Sequence, residues 1–70
     1  MKVKVLKLGY AAREVEVGEG TTVDEAIRAS GMEGGGYKVT LNGVGADLSA
    51  LVRDGDIIAL TPKVEGGNLR

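Results

Sequence analysis

Alternation of apolar and charged residues predicts two strands at the beginning of the chain. Over residues 2–8, Val3 and Val5 alternate with lysines, and over residues 13–17 two valines alternate with charged side chains. Successive side chains of a strand point to opposite faces, so this period of two is typical of a strand with one buried face. A short link at residues 9–12 joins the two runs, and the pair is therefore predicted to form an antiparallel hairpin.

A short amphipathic helix is predicted at about residues 22–30. Thr22 and Glu25 have the spacing of a capping box, in which each side chain accepts a hydrogen bond from the backbone N–H of the other residue. Thr21 and Asp24 have the same spacing, so the helix is predicted to begin at one of two adjacent residues. Apolar residues recur at intervals of three and four, which places them on one face of the helix. That face consists of Val23, Ala26 and Ile27.

A third strand and a turn are predicted after the helix. Residues 37–41 alternate in polarity, and Asn42-Gly43 directly after them is typical of a type I′ turn, because both residues tolerate positive φ. The next segment, residues 46–51, is interpreted as a link. Its two leucines, Leu48 and Leu51, are predicted to cover the edge of the core.

The last strand is predicted between a turn and a proline. An Asp-Gly-Asp turn signal at residues 54–56 precedes the apolar residues 57–60. Pro62 has no N–H, so the chain cannot continue beyond it as a central strand. The residues that follow carry little apolar surface to bury. We therefore predict a folded domain over residues 1–61 and a flexible C-terminal tail over residues 62–70.

The predicted order of elements is strand, strand, helix, strand, link, strand. An amphipathic helix must bury its apolar face against a sheet. The connections on either side of the helix leave room for the first and last strands to pair in parallel at the centre. The residues themselves indicate only this order of elements, which predicts an α+β domain with four strands and one short helix.

Composition narrows the classes of function. The chain of 70 residues contains no cysteine and no histidine. Without cysteine it can form neither a disulfide nor a thiolate metal site, and without histidine it lacks the commonest general base and metal ligand. We therefore predict a protein that is not an enzyme by itself and that has no metal or cofactor of its own.

Charge and hydropathy argue against two classes of partner. Nine basic and ten acidic residues give a formal net charge of −1, whereas proteins that bind nucleic acid backbones are usually basic. No apolar run approaches the ~20 residues of a membrane span, and the first residues do not have the pattern of a signal peptide. We therefore expect neither a nucleic acid nor a membrane as a partner. We expect the protein to be cytoplasmic and, when free, a monomer.

Three short motifs resemble those of one family of small proteins. They are Asn42-Gly43, Leu51 followed by Asp54-Gly55-Asp56, and the C-terminal pattern Pro62, Val64, Gly66-Gly67. The order of turn, apolar strand, proline, short tail and Gly-Gly is similar to the C-terminus of the ThiS/MoaD-like sulfur carriers of thiamine and molybdopterin biosynthesis, and more loosely to ubiquitin. The resemblance covers nearly the whole chain in pattern. It implies the ubiquitin-like β-grasp fold, a four-stranded mixed sheet packed on one short helix, with the first and last strands parallel at the centre.

The resemblance implies a reaction at Gly67. In this family an E1-like activating enzyme of the ThiF/MoeB type adenylates the carboxylate of the C-terminal glycine with ATP, and sulfur then replaces AMP to give a thiocarboxylate. Ubiquitin-like relatives instead form a thioester and then an isopeptide bond, and the residues do not distinguish the two routes. Gly66 is implied to lie beside Gly67 in a narrow channel of the enzyme. A role in positioning the tail is implied for Leu60, Pro62 and Val64.

The last three residues, 68–70, depart from the family pattern, because its mature members end at Gly-Gly. A carboxylate on Arg70 cannot replace one on Gly67, so a carrier requires cleavage of the bond between Gly67 and Asn68. A JAB1/MPN-type protease is the processing partner that the resemblance implies. The alternative is a non-catalytic β-grasp module that binds other proteins and whose C-terminus is never activated.

Overall fold

The structure, a computed structural model, describes residues 1–33 and 35–62. In chain order the elements are β1 (Lys2–Lys7), β2 (Ala11–Glu16), α1 (Val23–Ala29), β3 (Tyr37–Leu41), β4 (Val44–Gly45) and β5 (Ile57–Pro62). No helix within these residues is long and apolar enough to cross a membrane. Residues 63–70, which make up the predicted tail apart from Pro62, lie outside the described residues.

The strands form one mixed sheet in the order β2-β1-β5-β3-β4. β1 and β5, the first and last strands, are parallel neighbours at its centre, with Val5 opposite Ile58. The pairs β1–β2, β3–β5 and β3–β4 are antiparallel. The predicted parallel pairing of the first and last strands is therefore confirmed.

Within the described residues the sheet has five strands, where the sequence predicts four. After β3 the chain reverses through Asn42 and Gly43, whose φ angles are 54° and 86°. Positive φ at both residues is typical of the predicted type I′ turn, which returns the chain directly beside the strand it leaves. Val44 therefore pairs with Leu41. The prediction missed this edge strand because two residues are too few to have an apolar periodicity of their own.

Local signals set the beginning of α1. Thr22 is the N-cap: its hydroxyl accepts a hydrogen bond from the Glu25 N–H at 3.2 Å, and the Glu25 carboxylate accepts one from the Thr22 N–H at 3.0 Å. The alternative cap is wrong, because the Thr21 hydroxyl donates to the Gly18 carbonyl oxygen at 2.7 Å. Gly31 follows the helix with a φ of 81°, the left-handed conformation that commonly ends a helix.

The apolar face of α1 packs on one face of the sheet, and the core lies between them. The three helix residues predicted to be buried are buried, and Met32 beyond the helix folds back onto the core. Removal of this apolar surface from water is the main force that holds the two layers together. The buried apolar side chains of the described residues are Val3, Val5, Val23, Ala26, Ile27, Met32, Val52, Ile58 and Leu60.

The link before β5 fills the core differently from the prediction. Leu48 and Leu51 are 48% and 63% exposed, whereas Val52 is only 3% exposed. Leu51 pairs with Thr22 in an antiparallel bridge, and the Val52 N–H donates to the Thr21 carbonyl oxygen at 3.0 Å. The backbone is extended here, so adjacent side chains point to opposite sides. Leu51 therefore faces outward and Val52 inward.

Candidate functional site

Two of the predicted site residues, Leu60 and Pro62, belong to the part of the chain that the structure describes. The others are Val64, Gly66, Gly67 and Asn68, and they lie outside the described residues. The structure therefore describes the end of β5, from which the predicted tail continues, and the side chains around that end.

Leu60 anchors the end of β5 between two strands. It lies opposite Lys7 of β1 and Val39 of β3, and its side chain is fully buried. Its carbonyl oxygen accepts a hydrogen bond from the Leu8 N–H at 2.9 Å. The chain is therefore held on both sides two residues before Pro62.

Pro62 is paired on one side. The pairing of β1 with β5 extends to Leu60, whereas the pairing of β3 with β5 extends to Pro62, which lies opposite Tyr37. Proline cannot donate a hydrogen bond within a sheet, so it is tolerated where one side of a strand needs no donor. We refer to the end of the sheet formed by Lys7, Tyr37 and Pro62 as the tail exit.

A lysine and both tyrosines of the chain meet at the tail exit. Lys7 Nζ lies 4.6 Å from the centre of the Tyr37 ring and 5.1 Å from the centre of the Tyr10 ring. Both distances are within the ~6 Å range of a cation–π interaction. The chain has no other aromatic residue. We call these three side chains, Lys7, Tyr10 and Tyr37, the Lys7 cluster.

The Lys7 cluster was not predicted from the sequence, because its two tyrosines lie far apart in the chain. Tyr10 lies in the first turn, and Tyr37 begins β3. The available signal was indirect. Since β1 is parallel and β3 antiparallel to β5, the end of β1 and the start of β3 lie at the same end of the sheet.

At the opposite end of β5 the two turn motifs of the sequence contact each other. Asp56 Oδ1 accepts a hydrogen bond from Asn42 Nδ2 at 2.9 Å, and Asn42 Oδ1 accepts one from the Ile57 N–H at 2.9 Å. Asp54 Oδ1 accepts a hydrogen bond from the Lys2 N–H at 2.7 Å. These contacts hold the start of β5, so the motifs position the strand that precedes the tail.

The groups of the described residues that could bind a partner lie at the tail exit, and these residues form no metal centre. Within residues 1–33 and 35–62, no three His, Cys, Asp or Glu side chains are grouped so that they could hold a metal ion. The ion pairs of this part join the amino terminus to Glu16 at 2.9 Å and Arg28 to Asp24 at 3.1 Å. The cation and the aromatic rings of the Lys7 cluster are thus the chemically distinctive groups beside the tail.

The sequence model of the ThiS family matches residues 5–67. No curated protein shows significant sequence similarity to the chain.

Solved structures with a similar fold include the following three. SAMP1 from Haloferax volcanii has a TM-score of 0.76 and 21% sequence identity, over 96% of this chain and 100% of that chain. A chain from the complex of subunits 1 and 2 of the molybdopterin-converting factor from Helicobacter pylori 26695 has a TM-score of 0.68 and 28% identity, over 96% and 100%. Urm1 from Trypanosoma brucei has a TM-score of 0.62 and 12% identity, over 94% and 95%. These likenesses confirm the ubiquitin-like β-grasp fold.

Proposed function

The chain belongs to the ThiS family, and on that premise we propose that it acts through the carboxylate of Gly67 once residues 68–70 have been removed. It is a small protein of the sulfur-carrier or ubiquitin-like modifier kind and is not itself an enzyme. The proposal adds the reacting residue, its activation by an E1-like adenylating enzyme of the ThiF/MoeB type, and the processing step that must come first.

One observation carries this proposal: the family match ends at Gly67 and leaves Asn68, Leu69 and Arg70 outside it. In the unprocessed chain the carbonyl of Gly67 is part of a peptide bond and is not a free carboxylate. Hydrolysis of the bond between Gly67 and Asn68 would create that carboxylate. We assign this hydrolysis to a JAB1/MPN-type protease.

The chemistry at Gly67 then has two steps. A carboxylate oxygen of Gly67 attacks the α-phosphorus of ATP, and pyrophosphate leaves. Hydrosulfide, or the thiolate of an enzyme cysteine, next attacks the acyl carbon of the adenylate, and AMP leaves. In sulfur transfer the product is a thiocarboxylate, whereas in protein conjugation an enzyme thioester passes the acyl group to a lysine amine. The activating enzyme supplies the catalytic groups, and this chain supplies the acyl group.

The described end of β5 supports the presentation of the tail to an enzyme. Pairing holds the strand on both sides at Leu60 and on one side at Pro62. Five residues lie between Pro62 and the end of Gly67, and a fully extended chain of that length spans about 17 Å. Gly66 and Gly67 lack Cβ atoms, so this part of the chain fits a narrower channel than other residues would. We place the reaction in the cytoplasm, with the free carrier a monomer.

The test is ATP–pyrophosphate exchange by the E1-like enzyme of the same organism. A chain that ends at Gly67 should support exchange, and the chain that ends at Arg70 should not do so without processing. After incubation with a sulfur donor, the active chain should gain the mass difference between sulfur and oxygen. Gly67→Ala in the shorter chain is the matched control and should lose most of the exchange, because the added methyl group widens the reacting end.

Two results would contradict the proposal. One is an absence of exchange with the chain that ends at Gly67. The other is recovery from cells of functional protein that always retains Arg70. In either case the protein would instead be the non-catalytic interaction module.

A further inference from the structure

We propose that the Lys7 cluster, together with the neighbouring Leu8, is a recognition surface for an acidic rim at the channel entrance of the activating enzyme. This inference rests on the proposed function and adds the chemistry of the partner surface. It concerns a site on the folded domain that is separate from the reacting Gly67.

Lys7 lies at the end of β1, where its side chain is only partly covered. Val3 and Val5 of the same strand are fully buried on the face that α1 covers. Lys7 follows at the same period of two and so points to the same face, at the end of β1. There the side chain is half-buried and its ammonium group lies between two aromatic rings.

Backbone contacts set the positions of both tyrosines in the chain. The Tyr10 N–H donates to the Lys7 carbonyl oxygen at 2.9 Å, and this tight turn passes through Gly9 with a φ of 78°. Tyr37 is held by the pairing of β3 with β5, opposite Pro62. The rings restrict the lysine side chain before any partner binds, so less conformational freedom is lost on binding.

Among the residues that the structure describes, the charge of Lys7 lies beside aromatic rings and is not in an ion pair with a carboxylate. The ion pairs of the described residues involve the amino terminus and Arg28, and neither includes Lys7. Lys38 follows Tyr37 in β3, so its exposed side chain points to the other face of the sheet and does not neutralise or join this charge. A carboxylate-rich surface is the complement of the Lys7 cation.

Apolar surface lies directly beside this charge. Leu8 is 63% exposed and Tyr10 is 74% exposed. Tyrosine is among the residue types that contribute most to the binding energy of protein interfaces. The partner surface is therefore expected to offer an apolar depression for Leu8 and Tyr10 next to its acidic groups.

Geometry brings the activating enzyme to this surface. Pro62 pairs with Tyr37, and an extended chain from Pro62 to Gly67 spans only about 17 Å. Any enzyme that holds the Gly67 carboxylate at its active site must therefore lie close to the tail exit. The net charge of −1 makes a nucleic acid a poor occupant of the same site.

The test compares two lysines of β1 in the chain that ends at Gly67. Lys7→Gln removes the charge at the tail exit, and Lys2→Gln makes the same change at the other end of the strand. Lys7→Gln should raise the KM for the carrier in ATP–pyrophosphate exchange about tenfold with little change in kcat, as expected of an important interface side chain. It should also weaken the dependence of kcat/KM on salt. Lys2→Gln should leave both properties unchanged.

A conservative variant separates recognition from folding. In Lys7→Arg the guanidinium group keeps the charge and can stack on the same rings. The KM of this variant should therefore be close to that of the chain with Lys7. As a second measurement, the ring NMR signals of labelled tyrosine report only on the Lys7 cluster, because the chain has two tyrosines and both belong to it. These signals should shift or broaden when the activating enzyme is added.

The outcomes distinguish this inference from the proposed function. If the unmodified chain that ends at Gly67 supports no exchange, the proposed function fails. If it supports exchange but Lys7→Gln and Lys2→Gln have the same KM and salt dependence, the recognition surface alone is refuted. Unchanged tyrosine signals in the presence of saturating enzyme would also refute it.

Discussion

Asp56 joins two turns that are separate in the sequence. Its two carboxylate oxygens accept hydrogen bonds from Asn42 Nδ2 at 2.9 Å and from the Arg53 N–H at 2.8 Å. Asn42 in turn accepts a hydrogen bond from the Ile57 N–H at 2.9 Å. At the start of β5 the N–H groups of Arg53 and Ile57 therefore donate to side chains and not to backbone carbonyl oxygens.

We predict that Asp56→Ala lowers the free energy of unfolding by about 1–3 kcal/mol, the usual effect of leaving hydrogen-bonding groups without a charged partner. Urea denaturation measures this change. Asp47→Ala, at an exposed aspartate outside the network, is the control and should change the free energy by less than about 0.5 kcal/mol. Equal denaturation midpoints for the two variants would show that the network contributes nothing to stability.

At the scale of elements, α1 depends on packing more than on its own helix propensity. It has seven residues, and isolated helices of fewer than about 12 residues are marginal in water. The capping box satisfies backbone groups at its beginning, and its apolar face contacts the sheet. The helix is therefore stable because its apolar face is buried against the sheet. In turn, the helix excludes water from that face of the sheet.

We predict that Ile27→Ala lowers the free energy of unfolding by about 2–5 kcal/mol, because it opens a cavity between α1 and the sheet. The side chain is 3% exposed. This loss is a large fraction of the free energy of unfolding of a typical domain, which is about 5–15 kcal/mol. Arg28→Ala, on the exposed face of the same helix, should cost about 0.5 kcal/mol or less. An Ile27→Ala midpoint equal to that of Arg28→Ala would contradict the packing described here.

At the scale of the whole molecule, the first and last strands are the centre of the fold. β1 and β5 lie side by side, and the Gly55 N–H before β5 donates to the Lys2 carbonyl oxygen at 2.8 Å. The chain must therefore bring its first and last strands together before the core can close. Such long-range pairing is slow to form relative to local structure.

We predict that a chain ending at Pro62 keeps the free energy of unfolding of the full chain to within about 0.5 kcal/mol. The reason is that every buried apolar side chain of the described residues lies within residues 3–60. A chain ending at Ala59 lacks the buried Leu60 and should unfold at a much lower denaturant concentration. If ending the chain at Pro62 destabilises it as much as ending it at Ala59, the predicted domain boundary is wrong.

The sequence by itself determined the features that depend on neighbouring residues. The capping box of Thr22 and Glu25 and the turn at Asn42-Gly43 involve groups only a few positions apart. The buried faces of β1 and α1 follow from periods of 2 and 3.6 residues, which the backbone imposes locally. The family motifs added the pairing of the first and last strands, which the structure confirms.

Only the tertiary structure decided which distant residues meet. The bridge between Leu51 and Thr22 sets which side chain of the link faces inward, and the strand order brings Tyr10 and Tyr37 to Lys7. These contacts depend on strand register, and a shift by one residue would turn every side chain of a strand to the other face. Register is set by the packing of the whole core, so no single segment of the sequence contains it.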